Sequence, residues 1–288
     1  RLTVQSQSLP MRHTIEQLGP KHLEALKQLL AKDPTHNLYL LGVLEEFGVV
    51  CDPARAPFAF HGRFTEGELN AVIFVGGSGG LVIPSAGPLG AITELARSLA
   101  ATVQLKSCIG EKMLVDVLVQ HLNAQVKFSK TQRLYSVSAD DLGPFTNPLL
   151  RVATEADLPQ LVPLAAACVK EMHERDPLAD DAEGFAVRVK QRVMTKRTYV
   201  LEENGKLIFK LDIGSRSQFG AELEGVFTSA DFRGKGVATL CLGQISRFLL
   251  SSLPRLTVRV DDSNSAFAGI ARKVGYVGGR AQRFVWGD

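Results

Sequence analysis

The sequence has few cysteines, and they do not occur in pairs. The 288 residues include only Cys51, Cys108, Cys168 and Cys241, and no two of them form a Cys-x-x-Cys motif. The six histidines also lack the spacing typical of metal ligands. This pattern argues against a zinc site and against a secreted domain held together by disulfides. We therefore expect no bound metal, and buried free thiols in a reducing, cytoplasmic setting.

Long apolar runs and blocks of like charge are also missing. No stretch of 18 consecutive apolar residues occurs, so the sequence predicts no transmembrane helix. Lys and Arg number 33 against 30 Asp and Glu, which gives a net charge of +3 without any strongly basic segment. Nucleic-acid-binding domains instead carry clustered positive charge. We therefore expect neither a membrane nor a nucleic acid as partner, and leave the choice between monomer and homodimer open.

Chain length and one turn-rich segment predict two domains. A single domain usually has roughly 100–200 residues, and 45% of this chain is hydrophobic, which is enough for two cores. The segment 144–148 is predicted to be a linker because it is rich in turn-forming residues. It separates an N-terminal domain at 11–143 from a C-terminal domain at 149–288. Residues 1–10 are expected to be a tag or a trimmed end.

The N-terminal half alternates between helical and strand-like patterns. Helices are predicted near 22–30 and 37–47, strands between 58 and 83, two further helices after residue 90, and a strand over 126–137. This order predicts a small α/β unit. The glycine-rich run at 76–80 matches the Gly-x-Ser-x-Gly pattern of hydrolases, but that pattern needs a helix after it. A strand-like run follows here, so a hairpin turn is predicted.

The C-terminal half predicts the element order β, α, α, β, β, β, α, β, α, β. Thr154 and Asp157 form the pattern of a capping box at the start of the first helix. Asn204-Gly205 separates two apolar runs and indicates a hairpin turn.

A glycine-rich basic loop follows a strand predicted over 221–228 and precedes a helix. Glycines let backbone N–H groups converge on one point, and a helix start adds positive dipole character, so this arrangement predicts an anion site suited to a diphosphate. The loop consists of Arg233, Gly234, Lys235, Gly236, Val237, Ala238 and Thr239.

Three phosphate-binding patterns can be compared with this loop. A P-loop needs Ser or Thr after Gly-Lys, but Gly236 follows Lys235. A dinucleotide loop needs a third glycine where Thr239 stands. The pattern Gln/Arg-x-x-Gly-x-Gly/Ala is satisfied by Arg233, Gly236 and Ala238.

That third pattern, with its strand and helix, resembles the coenzyme A motif of the GNAT superfamily of N-acetyltransferases. Asn264-Ser265-Ala266 and the segment ending at Tyr276 resemble a second motif of the family. The resemblance covers 149–288 and implies an α+β GNAT fold with a mixed, mostly antiparallel and splayed sheet. The two-domain layout resembles bacterial GNAT proteins whose divergent N-terminal domain lacks the loop. Whether that domain is a degenerate GNAT-like unit stays open.

The resemblance implies acetyl-CoA or another acyl-CoA as co-substrate. Amides from Arg233 to Thr239 would hold the diphosphate, and Val226, Phe227 and Thr228 would contact the pantetheine arm through their backbone. The Val226 N–H would also stabilise the oxyanion. Asn264 and Phe267 would lie against the arm, although Asn264 can equally be a helix N-cap.

The resemblance also implies a glutamate base for the acceptor amine. Strand alternation places Glu222, Glu224 and Val226 on one face, with Glu222 the first choice and Glu224 the second. Either carboxylate could instead be a salt-bridged strand residue. The family's acid, a tyrosine, is replaced by Ala271. The proton for the CoA thiolate would then come from Ser265 or water, or the thiolate would leave unassisted.

The sequence therefore predicts an acyl-CoA-dependent N-acyltransferase acting on a small-molecule or peptide amine. Two alternatives stay open. A non-catalytic acyl-CoA-sensing or protein-interaction module would explain Ala271. A tandem unit, in which the N-terminal half shapes the acceptor groove, would resemble peptidoglycan-type aminoacyl transferases. That family uses aminoacyl-tRNA, which the weak basicity of this chain disfavours.

Overall fold

The computed structural model describes residues 12–50, 57–122 and 124–287. The expected tag at 1–10 and Cys51 lie outside the described residues. Within them, Cys108, Cys168 and Cys241 are free and buried, as predicted. None of the described helices is both long and apolar enough to cross a membrane.

The described residues form eight α-helices and twelve β-strands. The helices are α1 (Leu23–Ala31), α2 (Leu38–Phe47), α3 (Leu89–Leu99), α4 (Lys112–His121), α5 (Leu158–His173), α6 (Pro177–Met194), α7 (Val237–Leu250) and α8 (Ser265–Val274). The strands are β1 (His13–Gln17), β2 (Phe58–Thr65), β3 (Glu68–Gly76), β4 (Leu81–Ser85), β5 (Ser107–Glu111), β6 (Val126–Val137), β7 (Arg151–Val152), β8 (Thr198–Glu203), β9 (Lys206–Ser217), β10 (Gly220–Thr228), β11 (Leu256–Asp261) and β12 (Val277–Gly287).

The chain divides into two compact units. Unit 1 comprises Arg1–Lys32, Phe47–Ser129 and Arg283–Asp288, and unit 2 comprises Asp33–Glu46 and Lys130–Gln282. This division differs from the predicted boundary at 144–148. The units differ from the prediction because strand pairing and helix packing join segments that are distant along the chain. A turn-rich segment in the sequence gives no information about such contacts. The main consequence is that most of α2 belongs to unit 2.

Unit 1 has strands in the order β1-β2-β3-β4-β5-β12. The first four pair antiparallel, and β4 pairs with β5 in parallel. Its core joins the buried face of β3 to buried apolar residues of α3 and α4, among them Ile92, Leu95 and Leu118. The glycine-rich run at 76–80 connects β3 to its antiparallel neighbour β4. It is therefore a hairpin turn, as predicted.

Unit 2 has strands in the order β12-β6-β11-β10-β9-β8-β7. Neighbours pair antiparallel from β6 to β11 and from β10 to β7, whereas β10 and β11 pair in parallel. This is the mixed, mostly antiparallel sheet that the sequence predicts. One core joins the sheet to α7 and α8, and a second joins β8 and β9 to α5 and α6.

The predicted order of elements in the C-terminal half is confirmed, since β7, α5, α6, β8, β9, β10, α7, β11, α8 and β12 follow in that sequence. Prediction missed β1, β5 and the first half of β12. That half of β12 contains Gly278 and Gly279, which lower strand propensity. A Cβ at Gly278 would lie 3.0–3.1 Å from Arg133 and Tyr135 on β6, so tight packing on β6 overrides that propensity.

The capping box at the start of α5 gives a first test of stability. The Asp157 carboxylate accepts hydrogen bonds from the Thr154 amide at 2.7 Å and from Arg151 at 2.8 Å. The Arg151 guanidinium, supported by Thr154, lowers the pKa of Asp157 to about 2. This stabilisation is present above the unfolded pKa of 3.8 and is lost as pH falls towards 2.

We expect Asp157→Asn to lower the free energy of unfolding by about 1 kcal/mol at pH 7, because the cap and the ion pair are both weakened. The loss should shrink as pH falls from 4 to 2. Urea unfolding across that range checks the prediction. Asp231→Asn, at an exposed carboxylate 3.8 Å from Lys206, is the control and should change little. Equal losses for the two variants would contradict the assignment.

Candidate functional site

The parallel strands β10 and β11 separate part-way along their length. They pair at Ala221–Leu256, Glu222–Thr257 and Leu223–Val258, and the paired register ends there. Beyond that point, residues 224–228 of β10 continue as a half-buried strand, whose partners among the described residues lie on β9. One edge of this segment is therefore open towards β11, as the predicted splayed sheet requires.

A β-bulge in β10 marks the start of the opening. Glu224 pairs with Asp212 of β9 and Phe227 pairs with Lys210, so β10 carries one extra residue between these pairs. Gly225 in the bulge has a φ of +56°, and a Cβ there would lie 2.7 Å from Lys210 Nζ and 2.9 Å from Asp212 Oδ2. Only glycine fits, because the backbone passes directly over a buried ion pair.

That ion pair is part of a satisfied network below the bulge. Lys210 and Asp212 are almost fully buried and pair with each other. Asp212 also accepts hydrogen bonds from Thr198 Oγ1 at 2.6 Å and Arg192 Nη1 at 3.1 Å. Burial alone would raise the pKa of Asp212, but Lys210 and Arg192 outweigh it and lower the pKa. The carboxylate therefore stays charged and fixes both cations.

Glu222 lies in the paired part of β10, and its side chain is only 6% exposed. Its carboxylate pairs with Arg259, which projects from β11. Burial raises the pKa of Glu222 against the opposing charge of Arg259, and the charge of Glu224 adds to the rise. Glu222 is thus a buried, ion-paired carboxylate.

Glu224 lies at the opening itself. Its side chain is 34% exposed, and its Oε1 lies 2.7 Å from Arg192 Nη2. Arg192 is half-exposed and bridges Glu224 to the buried Asp212. Of the two candidate carboxylates, Glu224 is therefore the one that solvent and a ligand can reach.

A helix from the N-terminal half, α2, contacts β9 next to Glu222. Ser215, the strand partner of Glu222 on β9, donates hydrogen bonds to the carbonyls of Leu38 and Tyr39 at 3.3 and 3.1 Å. These contacts place the first turn of α2 beside the carboxylates. Tyr39 is half-buried and lies close enough to Glu224 and Glu222 for their charges to affect its ionisation.

The glycine loop has the geometry of an anion cradle. Gly234 and Gly236 have φ values of +76° and +81°, and a Cβ at either position would meet open space. Residues 233–236 are exposed, and α7 begins at Val237 and runs for 14 residues. The first bond of its helical ladder runs from Leu240 N–H to the Gly236 carbonyl at 3.1 Å. The loop therefore lies at the positive end of a long helix, and the Arg233 amide itself donates to the Ala230 carbonyl at 3.2 Å.

The two cations of the loop lie against aromatic rings. Arg233 stacks over Phe227 at 5.2 Å and donates to the Thr228 carbonyl at 3.0 Å and to Glu171 at 2.7 Å. Lys235 lies 4.8 Å from the centre of the Phe232 ring. Arg233 of the loop is thus in direct contact with Phe227 and Thr228, two of the predicted strand residues.

The loop itself is anchored to the core of unit 2. Val226, Val237 and Ala238 pack against that core, and the Thr239 side chain is 7% exposed. The cradle is therefore attached to the sheet at both ends, by the strand that precedes it and by the helix that follows it.

The start of α8 follows the end of β11. Asn264 is the N-cap, and its Oδ1 accepts from the Phe267 amide at 2.9 Å. Phe267 packs partly buried against the core of unit 2. Ala271 is completely buried. Asn264 is therefore a helix N-cap, as the sequence allowed. Its side-chain NH₂ group is not used in the cap.

Sequence reasoning missed the partners of the carboxylates. Lys210 and Asp212 are lone charges in the apolar strand β9, as Arg259 is in β11, and that pattern could have indicated buried ion pairs. Arg192 and Tyr39 lie on helices and carry no such signal. Within the described part of the chain, no group of three or more His, Cys, Asp or Glu residues is arranged to hold a metal ion.

Comparison with known proteins was made on sequence and on structure. The sequence matches no family model and no curated protein. The structure resembles a GNAT-family acetyltransferase from Colwellia psychrerythraea with a TM-score of 0.56 at 14% identity, covering 95% of this chain and 99% of that one. A GCN5-related N-acetyltransferase from Sphaerobacter thermophilus has a TM-score of 0.60 at 13% identity, covering 96% of each chain.

A tandem GNAT protein from the clavulanic acid biosynthesis pathway also matches, with a TM-score of 0.57 at 10% identity. The match covers 95% of this chain and 98% of that one, so the likeness extends through both halves of the sequence. Identities this low establish architecture alone. With the parallel pair that separates at Leu223, these matches confirm the predicted architecture: the chain has the GNAT fold.

Proposed function

We propose that this protein is an N-acyltransferase that moves an acetyl or other acyl group from acyl-CoA to a small-molecule or peptide amine. The observation that carries the proposal is the opening between β10 and β11, which begins at an accessible carboxylate and ends at a glycine cradle. Glu224 lies at the start of the open segment, and Gly234 and Gly236 follow its end.

In this proposal the acyl-CoA lies along the open edge of β10. The amides from Gly234 to Thr239 take the diphosphate, and Arg233 adds its positive charge because its own amide donates to the Ala230 carbonyl. The backbone of Val226, Phe227 and Thr228 pairs with the pantetheine arm. Exposed glycines with positive φ support the first assignment, and the unpaired β11-facing edge supports the second. Asn264 and Phe267 contact the arm where β11 ends.

The chemistry transfers an acyl group by direct attack. The amine nitrogen attacks the thioester carbonyl, the C–N bond forms and the C–S bond breaks. Glu224 accepts the proton that the nitrogen loses, and the Val226 N–H stabilises the oxyanion, an effect worth about 3 kcal/mol per donor. We prefer Glu224 to Glu222 as base because Glu222 is buried against Arg259.

The fate of the leaving thiolate follows from Ala271. This residue is buried and has no acidic group, so no acid acts from its position. A thiol pKa of about 8.5 lets the thiolate leave and take its proton from water.

A turnover screen tests the proposal directly. Purified protein would be incubated with acetyl-CoA and longer acyl-CoAs and a panel of amines, peptides included, and free CoA would be measured. Amine-dependent release of CoA together with an acylated product supports the proposal. Acyl-CoA binding without turnover of any amine would favour the sensor, and absence of binding would refute both.

Substitution at the cradle should abolish acyl-CoA binding. Gly236 has a φ of +81°, which costs a residue with a Cβ about 1–2 kcal/mol and shifts the amides that follow it. At 100 times Kd, acyl-CoA should stabilise the wild-type protein by about 2.7 kcal/mol. We expect Gly236→Ala to lose this gain, as measured by thermal unfolding with and without acyl-CoA.

Gly205 provides the matched control. It lies in the hairpin turn between β8 and β9 and has a φ of +77°, and a Cβ added there would likewise meet open space. Gly205→Ala should therefore suffer a similar loss of intrinsic stability and keep the full gain from acyl-CoA. A full gain for Gly236→Ala as well would show that the loop does not hold the diphosphate.

A further inference from the structure

The helix α2 is fixed against β9 by close backbone contacts. Ser215 Oγ donates to the carbonyl oxygens of Leu38 and Tyr39. Gly42 lies so close to β9 that a Cβ there would be 1.9 Å from Ser215 Oγ and 3.1 Å from the Arg216 amide nitrogen. The glycine is required here by close approach of the helix to the strand, because its φ is not positive.

Polar contacts at both ends of the 33–46 segment hold the helix in the same place. At its end, Glu45 accepts a hydrogen bond from the Gln218 amide at 2.9 Å, and Glu46 pairs with Arg197. Before the first residue of α2, the Thr35 hydroxyl accepts a hydrogen bond from Arg255 at 2.8 Å. The position of Tyr39 in the first turn is therefore determined by several independent contacts within unit 2.

The charged groups whose fields reach Tyr39 already have partners. Glu222 pairs with Arg259, and Glu224 pairs with Arg192. Among residues 12–50, 57–122 and 124–287, the Tyr39 hydroxyl itself has no hydrogen-bond partner. A polar group that is half-buried and unpaired beside such a network is a group that a ligand can satisfy.

The protonation state of Tyr39 suits contact with an amine. Burial, with the charges of Glu224 and then Glu222, raises the pKa of Tyr39 to about 12, although Arg192 and Arg259 act against the rise. The hydroxyl is therefore neutral at physiological pH. A neutral phenol can accept a hydrogen bond from an amine N–H, which leaves the nitrogen lone pair free to attack.

We propose that Tyr39 binds the acceptor amine through its hydroxyl and positions it beside Glu224. This inference rests on the proposed acyltransferase function and extends it to a residue of the N-terminal half of the sequence. The α2 segment then helps to determine which amine is accepted, because its first turn is fixed on Ser215, the strand neighbour of Glu222.

The test compares Tyr39→Phe with Tyr199→Phe in steady-state assays on the full chain. Tyr199 is another half-buried tyrosine of unit 2, whose ring packs 6.5 Å from Phe248, so it controls for the loss of a tyrosine hydroxyl as such. We expect Tyr39→Phe to raise KM for the amine about 10-fold, as loss of one buried hydrogen bond implies. KM for acyl-CoA should stay within about 2-fold, and Tyr199→Phe should change neither constant.

A second variant tests whether the position of Tyr39, as well as its hydroxyl, affects amine binding. Gly42→Ala forces α2 away from Ser215 and moves Tyr39, so it should raise KM for the amine and leave acyl-CoA binding intact. If the wild-type enzyme is active and either folded variant has an unchanged KM for the amine, the role of Tyr39 is wrong and the acyltransferase proposal still stands. Absence of wild-type turnover with every amine would overturn the acyltransferase proposal and this inference together.

Discussion

Glu224→Gln should lower kcat/KM for acyl transfer by about 100- to 10,000-fold, which is the range typical of a lost general base. Gln keeps the size of Glu224 and a hydrogen bond to Arg192, but it cannot take a proton from the acceptor amine. Acyl-CoA binding should persist, since the cradle at 233–239 is unchanged. Steady-state assays, with thermal shifts for acyl-CoA binding, measure both effects.

Two further variants make this result specific. Glu202→Gln is the matched control, because Glu202 is a half-exposed strand glutamate that also pairs with an arginine, Arg151 at 2.9 Å. It should keep wild-type activity. Glu222→Gln decides between the two candidate carboxylates. Should it abolish turnover while Glu224→Gln remains active, the base is Glu222 and our preference for the accessible carboxylate is wrong.

Arg259→Met should destabilise the protein by about 3 kcal/mol at pH 8. Removal of Arg259 leaves the Glu222 carboxylate buried without a cation, and breaking a buried pair in this way typically costs about 3–5 kcal/mol. Met fills much of the volume of Arg, so packing loss contributes little. Urea unfolding followed by fluorescence or circular dichroism measures the change.

The pH dependence identifies Glu222 as the cause. Burial already raises the pKa of Glu222 in the folded protein, and loss of Arg259 raises it further. Between the unfolded pKa of 4.5 and the folded pKa, the folded state binds more protons than the unfolded state. The destabilisation relative to wild type should therefore be small at pH 4, grow once the pH rises through the raised pKa of Glu222 in the wild-type protein, and level off above the still higher pKa in the variant.

Arg133→Met is the matched control for this prediction. Arg133 lies on the neighbouring strand β6 and pairs with Asp262 at 3.8 Å, with both side chains more than 40% exposed. Exposed pairs contribute at most about 1 kcal/mol, so this variant should lose little stability at any pH. Similar losses for Arg259→Met and Arg133→Met would show that the ion pair of Glu222 and Arg259 contributes no more to stability than an exposed pair.

The features that the sequence predicted well are those encoded by neighbouring residues. The capping box at Thr154 and Asp157, the turn at Asn204-Gly205 and the helix after Gly236 depend on contacts within a few residues. The confirmed order of elements in the C-terminal half followed from such signals, whereas the GNAT fold was inferred from the resemblance of two motifs to that family. The first half of β12 was missed because its strand character comes from packing on β6.

In the candidate site, too, the sequence predicted the local features and missed those that depend on distant segments. The sequence placed Glu222, Glu224 and Val226 on one strand and the cradle directly after it, and their assigned roles remain predictions. Which carboxylate is accessible could not be read from alternation, since both lie on the same face. That difference arises because β11 follows β10 only as far as Leu223 and brings Arg259 to Glu222.

The amino-acid sequence by itself indicated the GNAT fold of this protein and the place of its glycine cradle, because local motifs that resemble those of the GNAT family carry both. Only the tertiary structure decided what surrounds the carboxylates. Tyr39 lies beside Glu222 and Glu224 because its helix is fixed on Ser215, which is 176 positions further along the chain. Contacts at that separation depend on strand pairing and close packing between distant segments, which no local pattern specifies.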